Sequence, residues 1–168
     1  MSESPELRDI RIRMQPGIVS RDGFLGTDCR SLSDILADDH NRVEQAGLSH
    51  VRIAARLSEL RDQALAGLGE FVKVPPHFEV KAESIRGRLP CPFGEIGLHA
   101  KTNITVRNIR TNRTLVYTDL GIHLIETHGF YQGEGAVFRL DPETLIEFLG
   151  LPEADQIDSK TNAVRAGA

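Results

Sequence analysis

Apolar and polar residues change period several times along this chain. Ile10-Arg11-Ile12-Arg13-Met14 alternates apolar and basic, which predicts a half-buried strand ended by Pro16-Gly17. The acidic, polar residues 1–9 are expected to be disordered. Ile18-Val19 suits a second short strand, Arg21-Asp22-Gly23 a turn, and Phe24 and Leu25 the anchor of this arm. From Ser31 the spacing becomes helical. Leu32, Ile35, Leu36, Val43 and Ala46 follow a serine cap with Asp34 three residues on, and Gly47 ends the run. Ser49 caps a second helix over His50–Ala66, with Ile53, Leu57, Leu60, Ala64 and Leu68 as its stripe. The short link between them predicts a helical hairpin.

Beyond Gly69 the period falls to two. Phe71–Val74 is short and strand-like, and Phe78, Val80 and Ala82 alternate with charges as in a one-sided antiparallel strand ended by Arg86-Gly87. Pro90-Cys91-Pro92-Phe93-Gly94 opens a loop that runs to about Ala100. Asn103–Arg110 and Arg113–Thr118, rich in Thr, Val and Ile, form a hairpin about Thr111-Asn112. Asp119–His128 reads as a short helix between a Thr118 or Asp119 cap and Gly129. Leu120, Ile122 and Leu124 also alternate, so a strand stays open. Ala136–Leu140 is expected as a last strand, and Asp141-Pro142 as the start of a closing helix stopped by Gly150 and Pro152. The fold class is therefore α+β: an N-terminal helical hairpin, an antiparallel β-sheet with a central hairpin, and short C-terminal helices. Residues 10–150 make a single domain, and residues 151–168 a flexible C-terminal tail.

Composition adds bounds. A chain of 168 residues, 40% apolar and 26% charged, can bury a core without metal or disulfide. No apolar run approaches the roughly 20 residues of a membrane span. The acidic N-terminus lacks the features of a secretory signal, so a cytoplasmic location is expected, with Cys29 and Cys91 reduced. The net charge of −4 is uneven: over residues 84–118 six cations face Glu95 alone. Such separation suits an anionic partner, or basic strands lying beside acidic helices.

Candidate chemistry gathers near residue 123. On a helix Asp119, His123 and Glu126 share one face, and an imidazole with two carboxylates suits a divalent zinc, iron or manganese ion. His128, five residues from His123, points about 140° away on a regular helix and joins only if the helix ends before it. The competing reading makes Asp119 a cap, His128 a favoured C-terminal cation, and the rest a solvated face. Cys91 with His99 invites a thiolate–imidazole pair, and with His123 and His128 the two would complete a Cys-His₃ zinc set; a loop cysteine packed on the sheet is the plainer alternative. The glycines of Gly129–Gly135 match no phosphate-binding pattern, and Glu134 would repel a phosphate. A flexible connection with Phe130 and Tyr131 folded back onto the core is the plainer reading; if that loop borders a pocket, Tyr131 and Arg139 are expected to meet the ligand. Gly47–Leu57 begins like a helix-turn-helix, but no glycine turn follows Leu57, so no recognition helix results. The basic segment carrying Lys101, Arg107, Arg110 and Arg113 has Tyr117 as its one aromatic, so it lacks a base-stacking platform, and nucleic acid is an improbable partner. A small anion, held by Lys101 and Arg107, or a protein suits it better.

Several runs carry a family likeness: Pro16-Gly17-Ile18-Val19 with Arg21–Gly26, Pro90-Cys91-Pro92-Phe93, Lys101-Thr102-Asn103, Thr118-Asp119-Leu120, and Ile122–Ile125 with His128–Tyr131. Over residues 10–150 the chain resembles an uncharacterised family of small bacterial cytosolic proteins. The resemblance implies a bacterial cytosol and one compact domain, and nothing about chemistry. Three function classes therefore stand: a cytosolic ligand-binding or interaction domain; a small metal-dependent enzyme using Asp119 and His123 with Glu126 or His128; and, third, weak nucleic-acid binding through the basic 101–113 hairpin.

Overall fold

A computed structural model describes residues 3–152. The chain starts with a helix where disorder and a strand were expected. Helix α1 spans Pro5–Arg13, with Ser4 Oγ accepting from the Leu7 N–H and Pro5 in the first turn. Ile10 and Met14 are buried and Leu7 packs beside them, a helical spacing of three and four that overrides the alternation of Ile10 to Met14. Ile12 is left half exposed. Ile18-Val19 lies in turns, not in a strand.

Helix α2 spans Leu32–Gln45 and α3 spans His50–Ala66, capped by Ser31 and Ser49 as the sequence requires. Gly47 takes a left-handed φ of 70°, and the Leu48 N–H reaches back to the Val43 carbonyl to close α2. The two helices are successive, but each finds its main partner elsewhere: α3 against the helix after the sheet, and α2 against the last helix and α1.

Four strands form an antiparallel meander in chain order: β1 Val72–Val74, β2 Phe78–Pro90, β3 Leu98–Asn108 and β4 Arg113–Thr118. Phe78, Val80, Ala82, Ile104, Val106 and Tyr117 are buried. The Tyr117 hydroxyl donates to the Leu57 carbonyl at 2.7 Å, tying β4 to α3. Arg86-Gly87 does not end β2. The register slips between Ile85 and Arg88, a bulge, and pairing resumes to Pro90 opposite Leu98. The expected long loop thus shrinks to 91–97, the tip of a long hairpin.

Helix α4 spans Asp119–His128, capped by Thr118, with Gly129 left-handed at its end. This settles the helix-or-strand ambiguity: Ile122 and Ile125 enter the core of α3, the sheet and the last helix, while Leu120 and Leu124 enter a second core with α1, the 24–25 arm and α2. A helix buried on two sides mimics alternation. Helix α5 spans Pro142–Leu149 behind its Asp141 cap. Ala136–Leu140 is a series of turns, not a strand. Its backbone bonds are local or go to Tyr131, because the glycine loop before it is packed on the N-terminal arm: the Gly133 N–H donates to the Phe24 carbonyl, and the Thr27 N–H to that of Glu134. The architecture is α+β, with five helices and one four-stranded sheet among the described residues, and no helix is long and apolar enough to cross a membrane. The tail beyond residue 152 and residues 1–2 lie outside the described residues.

Candidate metal centre

The tip of the β2–β3 hairpin folds over the exposed side of α4. Arg13 of α1 donates through Nε to the Pro92 carbonyl at 2.7 Å, and the Phe93 ring stacks parallel on His128 at 3.9 Å between centroids. These contacts fix the loop from both ends of the chain. They bring Cys91 and Glu95 of the loop to His123 and His128 of α4, with one donor atom from each residue within 4.8 Å of every other.

The individual distances resemble a ligand shell. Cys91 Sγ lies 3.6 Å from His128 Nε2. Tetrahedral zinc with its usual sulfur and nitrogen bond lengths places such a pair about 3.6 Å apart. One Glu95 carboxylate oxygen lies 2.9 Å from His123 Nε2 and the other contacts His128 Nε2. His123 Nε2 is buried, yet the nearby carboxylate oxygen is off its N–H axis, so the atom has a close neighbour and no hydrogen bond. His99 stands just outside, its ring 4.3 Å from that of His123.

Burial, the largest influence, holds His128 below the ordinary imidazole value against the pull of Glu95. Burial, with the His123 ring, does the same to His99. Neutral imidazole is the form that binds a metal. Burial also pushes the Cys91 thiol up, with the Glu95 charge acting the same way. A Phe93 backbone hydrogen bond and the Arg13 charge pull the other way without reversing the shift, so the thiol is held protonated and is a poor nucleophile. At 2% exposure it is not the exposed loop thiol expected, and its imidazole neighbour is His128, not His99.

Of the four candidate metal ligands read from the sequence, the structure brings two together. His123 and His128 do converge. The 140° between their Cα–Cβ directions is bridged by the length of the two rings and by a carboxylate reaching over the helix. Asp119 is excluded because it pairs with Arg61 at 2.7 Å. Glu126 is exposed, beside a shallow open hollow that His40 and His50 also border. Glu95 was not foreseen. The spacing that would have found it is Cys91-x₃-Glu95 with His123-x₄-His128, the paired short spacing of structural zinc sites with a carboxylate in place of one thiolate.

The expected ligand contacts fare differently. Tyr131 is 1% exposed, with its hydroxyl 2.9 Å from His50 Nδ1, and Arg139 is bound in two-pronged fashion to buried Asp39; neither lines the cavity beside the glycine loop. Both are drawn inward because the glycine loop turns them onto α2 and α3. The Arg107 guanidinium carbon lies 3.8 Å from the Phe71 ring centroid, and Glu79 lies 3.8 Å from the guanidinium and offsets its charge. Lys101 borders a cavity between β3 and the N-terminal arm.

No protein-family model matches this chain, nor does any curated protein or solved structure at a significant level.

Proposed function

We propose that the protein binds one divalent transition-metal ion, zinc by preference, through Cys91, Glu95, His123 and His128. The observation that supports this is the meeting of four donors from two distant segments within one coordination radius. A thiolate, a carboxylate and two imidazoles suit zinc, and four protein donors make a closed, structural shell. In this reading the ion fastens the hairpin tip to α4, and the protein is a metal-stabilised binding domain of the cytosol.

A second reading rests on Glu95, whose side chain is 37% exposed and sits on the loop. It is the ligand that water can displace. A Cys-His-His ion with a bound water would be an open centre able to hydrolyse a substrate, with His99 beside it.

The test is metal analysis of untagged protein. About one equivalent of zinc is expected, falling below about a tenth for Cys91→Ser and His123→Ala. Untagged wild-type protein holding less than that tenth, and taking up no added zinc, would refute the reading. In the cobalt-substituted form, a thiolate charge-transfer band and a four-coordinate spectrum unaltered by anions support the closed shell. Exchange of a ligand for added azide supports the open one.

A further inference from the structure

A cavity of about 480 Å³ opens between the arm at Phe24, the bulged ends of β2 and β3, the start of α4 and the glycine loop. That size is within the range of small-molecule pockets, roughly 300–1,000 Å³. Its walls are mostly apolar: Phe24, Leu89, Leu120, Val137 and Phe138. None of the four metal donors lines it.

Its polar groups divide into two sorts. Some are already engaged: Ser20 Oγ accepts from the Gly23 N–H, Thr118 Oγ1 accepts from the Gly121 N–H, and Arg21 and Asp22 lie 3.7 Å apart and offset one another. Lys101, Asn103 and Gln132 form no side-chain hydrogen bond among the described residues. Lys101 enters no ion pair among the described residues, so the cavity keeps a net positive charge.

Gln132 is the unusual residue. Its φ of 70° is a left-handed conformation that side chains other than Gly, Asn and Asp rarely adopt. The backbone is held there by its carbonyl, which accepts from Arg139 at 2.7 Å. The residue is 4% exposed and lines the cavity. Its side-chain amide makes no hydrogen bond among the described residues, yet it is not one of the fully buried unpaired groups, so it keeps contact with solvent. A left-handed backbone that holds an otherwise unbonded amide at a cavity wall marks a place where a ligand can replace that water as the hydrogen-bond partner.

We propose that this cavity binds a small amphipathic carboxylate. The carboxylate accepts hydrogen bonds from the Lys101 ammonium and the Gln132 amide, and the apolar tail lies along Phe24, Leu120 and Phe138. An anion is favoured by the net charge, and a tail by the walls. A free inorganic anion would leave those walls empty.

The test uses octanoate titrated into the full chain and followed by amide NMR, with 1-octanol as the uncharged control. Saturable one-to-one binding is expected, shifting the Gln132 side-chain amide. Lys101→Met and Gln132→Gly should each weaken octanoate about tenfold or more, since each removes a hydrogen bond to a charged group. Glycine suits the φ of position 132, and the spectra report whether each variant is folded. If Gln132→Gly fails to fold, half-buried Lys101→Met decides. Octanol should bind wild type and Lys101→Met within about twofold of each other. Binding that survives chelation of the metal sets this site apart from the metal centre. Octanoate that does not saturate, shifts scattered over the surface, octanol bound as tightly as octanoate, or equal affinity in wild type and Lys101→Met would each overturn the proposal.

Discussion

Asp39 and Arg139 form the most buried ion pair among the described residues. Asp39 is 1% exposed, and Arg139, 11% exposed, donates to its Oδ1 at 2.9 Å and also contacts Oδ2. Removing one partner of such a pair leaves a buried charge, which costs about 3–5 kcal/mol. Arg139→Met should therefore lower the unfolding free energy by that amount in a denaturant titration, and Asp39→Asn with Arg139→Met together should recover part of it. Asp28 works at the opposite end of the same loop. Its side chain is 2% exposed, accepts from Arg30 and receives the Glu134 N–H at 3.0 Å. The hydrogen bond from the Arg30 side chain holds its carboxyl well below the usual carboxylate range. Because the folded value is the lower one, its contribution is complete above the unfolded value near 4 and is lost as pH falls below it. Asp28→Asn should cost on the order of 1–3 kcal/mol at pH 7 and flatten the acid limb of stability against pH. An unchanged acid limb would show that other carboxylates set it.

At the scale of single elements, α4 tests how end signals act. Gly129 has a φ of 61°, and a Cβ there would lie 2.7 Å from His50 Nε2. Gly129→Ala should cost at least the roughly 1–2 kcal/mol of a left-handed alanine, and should displace His50 from Tyr131, visible as a changed tyrosine absorption. The caps of α2, α3, α4 and α5 were all readable, because Ser, Thr and Asp bond their own chain at short range. The same signal, Ser4 before Pro5, was present for α1, and the alternation of Ile10 to Met14 masked it. Residues set by distant partners were not readable. Glu95 is an ordinary loop glutamate until the bulge at Ile85–Arg88 carries the hairpin tip across α4. Tyr131 folds onto the core, the plainer of its two readings, and Arg139 turns inward to Asp39, while Gln132, which no local signal marks, lines the cavity. That His123 and His128 share α4 was legible from local spacing, whereas their meeting was not, because the helix runs through His128 and only the hairpin tip brings a carboxylate to both.

On the scale of the whole molecule, α4 is the shared wall of two cores. Ile125 is 1% exposed in the core of α3 and the sheet, and Leu124 is fully buried in the core of α1, the arm and α2. Truncating a buried leucine costs about 2–5 kcal/mol. Where that cost appears shows whether the halves fold as one. The Cys91–Glu95 loop, fixed by Arg13 of α1, reaches the exposed side of the same helix, so the four-donor cluster joins α1, the hairpin and α4. Helix α3 packs more on α4 than on any other helix, which couples the second core to the first through one rigid element. Leu124→Ala should therefore speed amide exchange in α1 and in α3 alike, by the factor that matches its global destabilisation. A variant whose α3 and sheet amides keep wild-type protection, while those of α1 and the 91–97 loop lose it, would mean that the α1 side opens alone. In that case zinc, by fastening the loop, should restore the lost protection, and chelation in the wild type should reproduce the variant's pattern.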